Sequence, residues 1–116
     1  MELVDLLIQQ KKENEKYFKN PQKYASLIKR KAEELLGEVK VYLFGSVVKG
    51  NWTPDSDIDI LVVSDNFDDK KRGEIKAKLL EAVGFFSPFE IHLITKKIFE
   101  NWYKKFIKEG EIIEIK

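Results

Sequence analysis

Between residues 43 and 63 the chain reads LFGSVVKGNWTPDSDIDILVV, and the side chains able to do chemistry are concentrated there. Asp55, Asp57 and Asp59 alternate at i, i+2 and i+4. On an extended segment such residues share one face, while Ser56, Ile58 and Ile60 point to the other. Adjacent carboxylates on one face repel each other. A hard divalent cation between them relieves that repulsion, and Mg²⁺ shared with the phosphates of a nucleotide suits such a site. The bland alternative is a solvated acidic strand end. A calcium loop opening at Asp55 is excluded, because it needs glycine at its sixth position and glutamate at its twelfth, where this chain has Ile60 and Asn66.

Upstream, Val39, Val41 and Leu43 belong to a β-prone run that ends at Gly45-Ser46, and Val47 to Lys49 can begin a short helix before Gly50 ends it. A strand that enters a helix through glycine leaves free backbone N–H groups. Gly45 lets a phosphate approach the main chain, Ser46 adds a hydroxyl donor, and the helix N-terminus favours an anion. Lys49 brings a positive charge. The stretch is not a Walker loop, which needs four residues between its glycines and then Gly-Lys-Ser/Thr. Taken alone, the Gly-Ser pair reads equally well as an ordinary strand-to-helix turn.

Taken together, GSVVKG, a spacer and SDIDILVV resemble the signature of the DNA polymerase β-like nucleotidyltransferase superfamily, and the small size points to its minimal nucleotidyltransferase branch. The resemblance covers about residues 38 to 95. It implies that Gly45 and Ser46, with Lys49 nearby, hold a nucleoside triphosphate, and that Asp57 and Asp59 bind metal. Members of the superfamily place a third acid on a later strand, and Phe89-Glu90-Ile91-His92-Leu93-Ile94-Thr95 is similar to that strand with Glu90 as the acid. Lys49 stands where the branch often has arginine, so the charge is kept and the forked donor is lost. The implied reaction is Mg²⁺-dependent transfer of AMP from ATP to a hydroxyl acceptor.

The branch also implies a partner. Proteins of this size are often paired with a toxin of the HEPN class, which they neutralise as antitoxins by attaching AMP to a tyrosine. That implies a hetero-oligomer with a HEPN-type toxin, or a homodimer when alone. Two other readings compete: a binding module that covers its partner with nucleotide bound but untransferred, and a nucleotidyltransferase for small molecules such as aminoglycosides, which usually carries a second domain. His92, two residues from Glu90, is a candidate base or phosphate contact. Its other reading is a partly buried histidine bonded to a neighbour, because metal-assisted transfer can proceed with carboxylates alone.

These groups need a scaffold, and 116 residues suffice for one α/β (α+β) domain spanning 1–116. The expected architecture is a small mixed sheet from residues near 39 to 44, 57 to 63, 89 to 95 and 111 to 115, with packed helices and the site at its open edge. Leu3, Val4, Leu7 and Ile8 open a helix whose second half is expected to be wet. Asn20-Pro21 restarts a second helix, with Tyr24, Ile28, Ala32, Leu35 and Leu36 on one side and Gly37 as its stop. A covering helix follows on Ile75, Leu79, Ala82 and Val83.

The last helix, about Lys96 to Lys108, carries a broad apolar stripe of Ile98, Phe99, Trp102, Tyr103, Phe106 and Ile107. It reads either as burial against a small sheet or as a protein-docking patch. Charged residues make up 35% of the chain, yet the net charge is +1, which gives no support to electrostatic binding of nucleic acid. The sequence has no cysteine and no membrane-length apolar run, so a cytoplasmic protein without disulfides is expected. Heavy use of Lys, Glu and Ile resembles hyperthermophile composition.

Overall fold

The computed structural model describes residues 2–53, 55–103, 105 and 110–116. The chain runs α1 (Leu3–Lys19), α2 (Pro21–Leu36), β1 (Lys40–Phe44), α3 (Ser46–Lys49), β2 (Ile58–Val63), α4 (Arg72–Glu81), β3 (Phe89–Ile94), α5 (Lys96–Ile98) and β4 (Ile112–Ile115). A short 3₁₀ turn, Asp69–Lys71, precedes α4, and a π-helical turn, Phe99–Tyr103, continues α5. The sheet order is β3-β2-β1-β4. β1 pairs antiparallel with β2 and β4, whereas β2 and β3 are parallel and joined through α4. This is the small mixed sheet expected from the sequence.

Alternation within the strands divides the molecule into two layers. Val41, Leu43, Ile58, Ile60, Val62, Phe89, Ile91 and Leu93 face one side, where Ala25, Ile28 and Ala32 of α2 and Leu79 of α4 cover them. Burying each large aliphatic side chain of this layer contributes about 1.5–3 kcal/mol. Tyr17 anchors the end of α1 in the same core, its hydroxyl donating to the Val83 carbonyl at 2.9 Å. The opposite face holds a smaller cluster of Leu61, Val63 and Ile94, with Tyr42, Phe44, Phe99, Tyr103 and Ile112 packed on it. Polar residues of the strands are confined to this second face.

The helices depart from the sequence reading in two places. In α1 it is the second half that is anchored, through buried Tyr17 and Phe18, while Leu3, Val4, Leu6, Leu7 and Ile8 are exposed. The cause is that the two aromatics reach the core and the aliphatic turns project past it. Asn20 and Pro21 hold the expected N-cap and N1 positions of α2, but the Asn20 side chain makes no cap hydrogen bond.

The C-terminal stripe is in part a packing element. Phe99 stacks on Tyr42 with centroids 4.9 Å apart, and Tyr103 meets Phe44 edge-on at 6.1 Å. Residues 104 and 106–109 and the side chain of Trp102 lie outside the described residues, so the helical reading to Lys108 is described only as far as 103 and at 105.

Candidate active site

Phe44, Asp59 and Glu90 lie abreast on neighbouring strands, because Phe44 pairs with Asp59 across β1 and β2 and Asp59 pairs with Glu90 across β2 and β3. Register thus puts two carboxylates side by side on the face opposite the helical layer. His92, paired with Leu61, is two residues farther along β3 and therefore on the same face. Its Nε2 lies 3.3 Å from Asp59 Oδ1. Ligand atoms of Asp59, Glu90 and His92 all lie within 4.8 Å of one another. Glu90 is on the edge strand, but the group opens through the sheet face.

The aromatic neighbours hold the imidazole. The ring of His92 sits 5.4 Å from Phe44 and 6.3 Å from Tyr103. The side chains of His92 and Asp59 each keep 26% exposure, so their polar atoms remain reachable from solvent. The bland expectation for His92, a half-buried ring bonded to a neighbour, matches this contact. What sequence reading missed is that the neighbour is Asp59; the period-two spacing from Glu90 was the available signal.

The Gly45–Ser46 turn abuts the same carboxylate. Gly45 has φ 80° and ψ −152°, a conformation essentially confined to glycine. A Cβ there would stand 2.6 Å from Asp59 Oδ2. Ser46 opens α3, and in its first turn the N–H groups of Val48 and Lys49 both donate to the Gly45 carbonyl at 3.1 Å. Gly50 closes α3 in the left-handed region and donates to the Ser46 carbonyl at 3.0 Å. Lys49 is exposed at the end of this turn, with Nζ 3.9 Å from Glu111 Oε1. That is a loose pairing from which the lysine can turn toward an anion.

Asp57 and Asp55 are not among the side chains whose ligand atoms gather within 4.8 Å. Asp57 is exposed just ahead of β2 and lines a shallow groove with Leu7, Gln10, Phe86 and Pro88. Asp55 pairs with Lys11 of α1 at 3.1 Å. The structure therefore brings together Gly45, Asp59 and Glu90 from the sequence-predicted set, adds His92, and keeps Ser46 and Lys49 on the adjoining turn.

The donor chemistry fits a divalent cation. Two carboxylates side by side supply the negative charge and oxygen ligands that such an ion needs. Tyr42, farther along the same face, has its phenol pKa raised by burial and by the carboxylates of Glu114 and Glu100.

Comparison with known proteins gives the chain a family. The family described as "Nucleotidyltransferase domain" matches residues 25–115. A Methanocaldococcus jannaschii protein named "Putative protein adenylyltransferase MJ0604" is 35% identical over 78 residues, which cover 64% of this chain and 76% of that protein. A crystal structure described as a "putative nucleotidyltransferase" superposes with a TM-score of 0.62 at 36% identity, covering 77% of this chain and 94% of the other. A second, from Sulfolobus solfataricus, gives 0.53 at 18% identity over 92% of this chain and 83% of the other, a likeness of fold alone.

Proposed function

Because this chain belongs to the nucleotidyltransferase domain family, and is a nucleotidyltransferase, we propose that it moves AMP from ATP to a tyrosine hydroxyl of a partner protein. The observation that carries the reading is the in-register pairing of Asp59 with Glu90 beside the Gly45 turn. The M. jannaschii relative, named as a protein adenylyltransferase, supports a protein acceptor.

In this reading the backbone of Gly45 and the hydroxyl and N–H of Ser46 bind the triphosphate, and Lys49 leaves Glu111 to meet its charge. Asp59 and Glu90 hold a divalent cation, Mg²⁺ being the ion that carboxylates alone would take, and Asp57 joins from its exposed position. When bound, the cation offsets phosphate charge and polarises the transferring group. The acceptor oxygen forms a bond to the α-phosphorus as the bond from that phosphorus to the bridging oxygen breaks. Its electron pair departs with pyrophosphate, and the acceptor proton passes to a Glu90 oxygen. Most of the rate gain is positional and electrostatic.

The partner is a HEPN-type toxin, the setting the cytoplasm, and the working assembly a hetero-oligomer in which this chain is the antitoxin. The sequence resemblance supports that assignment. The test mixes the two purified chains with ATP and Mg²⁺ and weighs the partner by mass spectrometry. One added AMP, lost with Asp59→Asn, is the expected result. An unmodified partner, or an Asp59→Asn chain that still neutralises it, overturns the reading in favour of inhibition by coverage.

A further inference from the structure

We propose that His92 is a direct ligand of the cation held by Asp59 and Glu90, and that its nitrogen turns the site from Mg²⁺ toward first-row transition ions such as Mn²⁺. The inference rests on the reading above insofar as it takes these carboxylates to hold a cation.

The spacing is the first argument. A charge-assisted N–H···O bond to a carboxylate measures about 2.7–2.9 Å. Two ligands each about 2.1 Å from one ion stand roughly 3.0–3.4 Å apart, for angles between octahedral and tetrahedral. His92 Nε2 and Asp59 Oδ1 are 3.3 Å apart, within hydrogen-bond reach of each other and equally at the spacing of two ligands of one ion. Glu90, two residues before His92 and directly across from Asp59, contributes its oxygen within 4.8 Å of both.

The second argument is preorganisation. Phe44 and Tyr103 flank the imidazole, and the β3 register fixes its Cα two residues from that of Glu90. An aromatic seat of this kind restricts the rotamers of the ring and presents Nε2 toward the Asp59 carboxylate. The third is ligand preference. Mg²⁺ favours oxygen donors and keeps much of its water, whereas imidazole suits transition ions, and Mn²⁺ accepts carboxylate oxygen as well. A set of two carboxylates and one imidazole is therefore biased away from Mg²⁺.

The test uses the full chain freed of metal by chelation, with Mn²⁺ and Mg²⁺ as probes, with and without ATP. Pulsed electron paramagnetic resonance of bound Mn²⁺ is expected to show nitrogen hyperfine coupling in the wild type and none in His92→Gln or His92→Ala. Competition titration is expected to show the Mn²⁺-to-Mg²⁺ affinity ratio falling about tenfold or more in His92→Gln, in line with the loss of one ligand contact. Circular dichroism of each variant verifies that it is folded. Bound Mn²⁺ without nitrogen coupling, an unchanged ratio, or no Mn²⁺ binding overturns the inference. AMP transfer without nitrogen coupling would leave the proposed function standing and sink the ligand role; coupling without AMP transfer would do the reverse.

Discussion

The carboxylate of Asp59 occupies the space that a side chain on Gly45 would need, with 2.6 Å between Oδ2 and an ideal Cβ on the glycine. The Gly45 turn and the Asp59 carboxylate are therefore one packed unit. Gly45→Ala meets both a backbone conformation foreign to alanine, costing about 1–3 kcal/mol, and the Asp59 carboxylate. We expect a lower melting temperature and a loss of transfer activity of about 100-fold, the scale of an ångström-sized displacement at a reacting centre. A variant with wild-type melting and wild-type turnover would show that the turn tolerates a side chain.

Glu90→Gln and Asp57→Asn separate function from folding. Glu90 is exposed and abreast of Asp59, so the two like charges repel across the strands. Removing the charge should leave the melting temperature at or above that of the wild type while turnover falls by about 10²–10³-fold, the scale of one lost electrostatic group. Asp57→Asn, at an exposed position ahead of β2, should likewise abolish turnover with the fold intact. Circular dichroism melts and a radiolabelled ATP assay check both; Asp57→Asn with full activity would confine the ion to Asp59, Glu90 and their neighbours on the face.

The parts of this arrangement that are local in sequence were legible in it. The strand–Gly–Ser–helix passage and the alternating aspartates follow from backbone chemistry within a few residues, and Asn20-Pro21 and Gly37 mark the bounds of α2. That Glu90 would face Asp59 followed from alternation once the two strands were taken as neighbours. Three features depend on tertiary placement. Asp57 and Asp59 are equivalent by alternation, yet Asp57 is exposed just ahead of β2 while Asp59 is half-buried within it. The contact of His92 with Asp59 is set by the parallel register. The apolar start of α1 looks like a core face by composition, and only the position of the helix end, fixed by Tyr17 and Phe18, leaves it exposed.

Tyr42 predicts an alkaline limit to stability. Burial, then Glu114 and Glu100, hold its pKa above the ordinary 10.0 in the folded chain. At high pH the unfolded chain therefore loses this proton first. The contribution to stability is complete below about pH 10 and is lost as pH rises through the folded-state value. Denaturant melts between neutral and strongly alkaline pH should show Tyr42→Phe losing less stability than the wild type over that range. Parallel curves would show that the phenol titrates alike in both states.

The exposed start of α1 predicts a variant with no effect on folding. Leu3 is 69% exposed and Leu7 56%, so neither contributes a packed side chain to the core described above. Exposed positions away from caps and buried networks change stability by about 0.5 kcal/mol or less. Leu3→Gln with Leu7→Gln should therefore melt with the wild type in denaturant. Leu7 also lines the groove that holds Asp57, so ATP-dependent turnover is measured beside the melt. A large drop in stability would mean that this end of α1 is buried in solution by something the isolated fold lacks, such as a second copy of the chain, and the drop would then depend on protein concentration.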